Sequence, residues 1–185
     1  MKIADVHSIV KEKLGPWFKS AGFRRSKSHT LGFARPFEFK LLVLWFQAEK
    51  WGWDPYQGAG FRFLVTTIPE GSPTRDYEQS FQYFLTDQEL EEVRTIQNVV
   101  IETLPKPPEP YFRQVAAQFR GEVAGHIEET LRGRFLPVTA PYSWRGDFFL
   151  RYYNEEHVRR WCEFLMPILP RAVQNAERNW KRDLR

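Results

Sequence analysis

From Phe39 to Gln47 the chain reads Phe-Lys-Leu-Leu-Val-Leu-Trp-Phe-Gln. A strand sends successive side chains to opposite faces, so a nearly unbroken apolar run requires cover on both. The run therefore predicts a central strand with packing above and below. A second segment, Phe61 to Ile68, places Phe61, Phe63 and Val65 on one face, and Thr66 and Thr67 favour extended backbone through β-branching. Between the two lies Glu49 to Ala59, where Asp54-Pro55 and Gly58 supply turn chemistry. The pattern predicts a β-hairpin with a long loop.

Helices are expected at both ends. Ile3, Val6, Val10, Leu14 and Trp17 recur at three- and four-residue spacing, which predicts an amphipathic N-terminal helix. Pro16 kinks it or starts a final turn, and Gly22 suits its C-terminus. Leu31 and Phe33 mark a half-buried strand ending near Arg35-Pro36. Thr86 with Glu89 three residues later is a capping-box pattern, predicting a helix from about Asp87 to Leu104. Residues 105–110, rich in proline, form an internal connector. Phe112 to Phe135 fits a helical stripe interrupted by Gly121 and Gly125. Asp147 to Tyr153 reads as a further strand, and Asn154 caps a last helix that Pro167 and Pro170 kink or split. Residues 1–185 are expected to form one α+β domain, an antiparallel sheet packed by N-terminal and C-terminal helices.

Composition narrows the class. Hydrophobic content of 42% is too high for a disordered chain. No apolar run approaches the ~20 residues that cross a bilayer, so no membrane partner is expected. The N-terminus carries Asp5 and His7 where a signal peptide needs an apolar block, which predicts a soluble, cytoplasmic protein. The single cysteine, Cys162, excludes an internal disulfide and a cysteine-rich zinc site. Charge is segregated: Asp76 to Glu102 holds seven acids and one base, whereas Arg24 to Lys40 holds five bases and one acid.

Chemistry-bearing motifs are sparse. His7, His29, His126 and His157 make no His-Glu-x-x-His spacing, and His126 with Glu129 offers too few ligands for a metal. Cys162 sits in an apolar stripe and reads as core. Gly58-Ala-Gly60 lacks the following helix that would hold a phosphate. Neither metal nor cofactor is expected. An enzyme with a dispersed site would need His29, His126 or His157 to meet a carboxylate. Two surfaces remain. Trp51, Trp53 and Tyr56 either fold over the sheet end or stand in water as binding anchors, with Glu89 and Glu92 of the acidic helix as a second protein-binding candidate. Arg24, Arg25, Lys27 and Arg35 either protect strand edges or form a positive face for nucleic acid, onto whose bases exposed Trp residues would stack.

Several of these features together resemble a bacterial family catalogued as domain of unknown function 4304. The resemblance runs from Ala21-Gly22-Phe23-Arg24-Arg25 through Phe33 and Arg35 to Phe46-Gln47 and the strand from Phe61. Members carry Trp or Gly before Asp-Pro-Tyr-x-Gly, matched here by Trp53-Asp54-Pro55-Tyr56-Gln57-Gly58. It covers roughly residues 3 to 70, and the C-terminal half matches only in its helical ending. It implies an α+β domain with an antiparallel sheet. It also implies a protein-binding role, because relatives resemble conflict-system accessory and immunity-type proteins, but it supplies no catalytic residues. The expected function is thus a non-enzymatic protein-interaction module, with nucleic-acid binding and a dispersed-site enzyme as alternatives.

Overall fold

A computed structural model describes residues 1–26, 29–49, 52–69, 77–119, 122–139 and 149–182. Helix α1 (Ile3–Ser20) buries Val6, Ile9, Val10, Leu14 and Phe18, and it runs through Pro16 without a break. The stripe is turned slightly from the expected one, so Ile3 is exposed and Trp17 only partly buried. The helix ends in a Schellman motif. The N–H of Phe23 donates to the Phe18 carbonyl (2.8 Å), and the N–H of Gly22 donates to that of Lys19 (3.2 Å). Gly22 has φ 80, a conformation it adopts without a Cβ penalty. The turn brings the Phe23 ring edge-on to Phe18, while Phe18 stacks on Phe33 at 3.9 Å.

The sheet is antiparallel, in the order β1 (Arg24–Arg25), β2 (Gly32–Phe37), β3 (Lys40–Ala48), β4 (Ala59–Pro69), β5 (Tyr77–Ser80). A sixth strand, β6 (Leu150–Tyr152), shares an edge of β4 with β5. β5 pairs with Leu64 to Thr67, and β6 pairs with Ala59 to Phe61. The central strand has the two-sided cover its composition demands. Leu42, Leu44 and Phe46 join Phe61, Phe63 and Val65 in the main core, while Val43 and Trp45 join Leu64 and Ile68 on the opposite face. Phe39 departs from the expectation. It lies in the two-residue turn between β2 and β3 and is 85% exposed. Its turn neighbour Glu38 has φ 52, a left-handed conformation where glycine is usual.

α2 (Asp87–Thr103) begins with the expected capping box, and α5 (Glu155–Arg182) covers the main core together with α1. Asn154 caps α5 by accepting from the His157 N–H at 3.1 Å. α5 is one uninterrupted helix rather than a split one. Pro167 and Pro170 lie on its exposed side, and Leu165, Ile168, Leu169, Ala172 and Val173 are buried along the other. That burial outweighs the lost hydrogen bonds.

The proline connector ends at Pro108, because Glu109 and Pro110 already belong to the first turn of α3 (Glu109–Ala116). Proline is well placed there, since the first-turn N–H groups have no helical acceptor. α4 (Glu122–Gly133) follows, with Gly125 inside it; Gly121 lies outside the described residues. Tyr111, Phe112 and Leu131 form a small separate core with Tyr56, Val115, Ile127 and Phe135. Among the described residues no helix is long and apolar enough to cross a membrane.

Candidate binding site

The loop between β3 and β4 is held by the side chain of Asp54. Its Oδ1 accepts from the backbone N–H groups of Tyr56 (2.7 Å) and Gln57 (2.9 Å). This Asx turn is why Asp-Pro-Tyr folds back here. Asp54 and Gly58 then close the turn by exchanging two backbone hydrogen bonds. Gly58 has φ 68, and a Cβ there would overlap the carbonyl oxygen of Tyr152. The loop backbone is thus pressed directly onto β6.

From Asp54 a chain of side chains crosses to α3 and α4. Tyr111 donates its O–H to Asp54 Oδ1 (3.0 Å) and accepts from Gln57 Nε2 (2.5 Å). Arg134, just past α4, donates to Gln57 Oε1 (3.0 Å) and to Glu49 Oε1 (2.8 Å). Arg151 on β6 donates to the carbonyls of Arg134 (2.5 Å) and Gln57 (3.2 Å). Burial pushes the Tyr111 phenol up to about 12, with the Gln57 hydrogen bond opposing and Asp54 adding to the rise. Tyr111 therefore stays protonated near neutral pH and acts as a donor, not a base.

This network walls a cavity of about 260 Å³. Glu49, Asp54, Gln57 and Arg134 contribute to its lining, and the α3–α4 layer adds Val115, Phe119, Ile127 and Leu131 with the polar Gln118 and Thr130. Beside it, Trp53 is 36% exposed yet fixed, its indole N–H donating to the Tyr153 carbonyl at 3.0 Å. The two rings lie 5.6 Å apart, and Tyr153 donates its O–H to the Pro55 carbonyl at 3.1 Å.

The other candidate residues fall in several places. Trp51 and Lys27 lie outside the described residues. Tyr56 turns inward, its ring 4.8 Å from Tyr111, and so supports the cavity from behind. Glu89 is engaged twice, in the capping box with Thr86 and in an ion pair with Arg171 at 2.5 Å. Burial would raise its pKa, but hydrogen bonds from Thr86 and Arg171 prevail and lower it. Glu92 is exposed and, with Glu89, borders a second cavity between α2 and α5. The loop and the acidic helix therefore border different cavities.

Arg25 opposes Phe33 and so shares a face with Arg35 two residues on, whereas Arg24 lies on the other face. Arg24 and Arg25 are consecutive in a strand and point to opposite sides. Arg25 donates to the carbonyls of Gly32 and Thr30. Arg35 pairs with Glu177 at 2.5 Å and lies over the Phe23 ring.

The histidines occupy separate elements. His29 packs on Trp45 and His126 is exposed on α4. His157 accepts the Tyr153 N–H at Nδ1 (3.1 Å), and its Nε2 meets the Thr103 hydroxyl at 3.3 Å. Burial lowers its pKa, helped by Arg160 and opposed by Glu156. Burial pushes the Cys162 thiol up to about 12, which keeps it a neutral core group. Among the described residues no three His, Cys, Asp or Glu side chains gather as a metal site.

Periodicity in the sequence carries no signal for Tyr111, Gln57 or Arg134 as site residues. Gln97, 1% exposed, donates to the Phe149 carbonyl (2.6 Å) and accepts the Arg151 N–H (3.2 Å), tying α2 to β6. A glutamine within an apolar stripe was the one available signal. No protein-family model, curated protein or solved structure matches this chain.

Proposed function

We propose that this chain is a non-enzymatic, cytoplasmic protein-interaction module, of the immunity or conflict-system accessory type that its resemblance to domain of unknown function 4304 implies. The observation that carries the reading is the exposed Trp53, held in place against the half-buried Tyr153 beside the cavity. Trp and Tyr dominate the energetics of protein interfaces, and a side chain already held in place loses less entropy on binding. Gly52 and Asp54, on either side of Trp53, line the cavity, so a partner seated on the indole lies next to it. The exposed Glu92 on α2 offers a second, charged contact.

The test is affinity purification of the tagged chain from its native host, followed by mass spectrometry. The expected result is one stoichiometric protein partner, lost with Trp53→Ala while circular dichroism stays unchanged. Unfolding of Trp53→Ala would instead assign the indole to the core. Recovery of nucleic acid alone, released steeply as salt rises, would favour the basic residues of β1 and overturn this reading.

A further inference from the structure

The hydrogen bonds along the polar wall of the cavity run one way. Arg134 donates to Gln57 and Glu49, Gln57 donates to Tyr111, and Tyr111 donates to Asp54. The series ends on two carboxylates, each engaged through one oxygen. Asp54 accepts all three of its hydrogen bonds at Oδ1, and Glu49 accepts from Arg134 at Oε1. Among the described residues, Asp54 Oδ2 and Glu49 Oε2 receive none. The Glu49 side chain is only 11% exposed. Two carboxylates against the single guanidinium of Arg134 leave the lining with one net negative charge.

The lining from the α3–α4 layer is mainly apolar, with Val115, Phe119, Ile127 and Leu131 alongside the polar Gln118 and Thr130. An occupant must therefore combine a donor-rich cationic head with an apolar stem. The volume of about 260 Å³ lies below the ~300–1,000 Å³ of pockets for drug-sized ligands, which selects one long side chain over a nucleotide or cofactor.

Building on the protein-interaction reading, we infer that the cavity receives a single arginine side chain of the partner protein. Arginine fits better than lysine for two physical reasons. Its planar fork presents several N–H groups to neighbouring carboxylate oxygens, and its weaker hydration makes entry into a half-enclosed site less costly. Its methylene stem packs on aliphatic surface while the head reaches the polar wall.

The test uses the whole chain and two probes of nearly equal shape, N-acetyl-arginine amide and N-acetyl-citrulline amide, which differ in charge. Binding is followed by amide chemical shifts. The expected result is saturable shifts at Glu49, Asp54, Phe119 and Leu131 for the arginine probe, with citrulline at least tenfold weaker. Asp54→Asn keeps the Oδ1 acceptor that closes the turn but removes the charge, and should weaken the arginine probe about tenfold. Equal affinity for the two probes, or shifts mapping elsewhere, overturns the inference. If Asp54→Asn fails to fold, the ratio between the probes on the unaltered protein decides alone. A stoichiometric partner that depends on Trp53, combined with no preference for arginine over citrulline, sinks this inference and leaves the interaction module standing. Arginine preference with no protein partner recovered overturns the assignment of the side chain to a protein.

Discussion

The main core and the α3–α4 layer are held together by different physics. In the main core, α1 and α5 close on the sheet through Leu14, Phe18, Leu44, Phe61, Trp161 and Leu165, all at most 1% exposed. In the α3–α4 layer, among the described residues, only Tyr111, Phe112 and Leu131 form the buried cluster, and hydrogen bonds among Asp54, Gln57, Tyr111, Arg134 and Glu49 do much of the joining. A large apolar core unfolds as one unit. A small cluster braced by polar contacts opens at lower free energy. The cavity lies at the second kind of boundary, where local rearrangement can admit an occupant without disturbing the rest.

Three experiments break or sharpen this contrast. The largest effect is expected from Trp161→Ala. It empties a fully buried site and removes the indole N–H from the Arg151 carbonyl (2.6 Å), so it should cost about 3–5 kcal/mol. Urea unfolding would show the whole transition moving together. A loss confined to one part of the chain would mean that the main core is not a single cooperative unit.

Tyr111→Phe should cost less, about 1–3 kcal/mol, because it strands the donor of Gln57 and one acceptor site of Asp54. Hydrogen exchange should quicken in α3 and α4 while α1 and α5 keep their protection. Uniform quickening would erase the distinction between the two regions.

The smallest effect is one of pH. Burial lowers the pKa of His157, and likewise of His7, below the ordinary 6.5. The unfolded chain then takes up these protons at a higher pH than the folded one does. Stability is therefore fully present above 6.5 and declines as pH falls through the folded values. Urea midpoints at pH 7.5 and 5.5 should differ in that direction, and by less in His157→Gln. An unchanged difference in that variant would remove His157 from the account.

The sheet and its helices were legible because they repeat. Leu42, Leu44 and Phe46 alternate with Val43 and Trp45, and Thr86 with Glu89 announces a helix three residues apart. The cavity had no such period. Gln57 meets Tyr111 across 54 positions and Arg134 meets Glu49 across 85, so ordinary polar residues become partners only after folding. The sequence did mark the loop as a place of interest, through Trp53 and Tyr56, but it had no means of dividing their roles. One stands exposed against Tyr153 and the other turns inward against Tyr111. The apolar run from Asp147 predicts a longer strand than the Leu150–Tyr152 that pairs among the described residues. Phe39 misled because an apolar residue at a strand's start looks the same whether the ladder or the turn claims it.

The contact of Gly58 with Tyr152 bears on how anything gets in. Backbone lies against backbone there, leaving no side chain whose rotation could let the loop swing outward. The aromatic segment is a doorpost and the helices are the door. A ligand's arrival rate should then follow the breathing of α3 and α4, and a covalent staple between those two helices would slow both entry and escape while leaving the resting shape of the site intact.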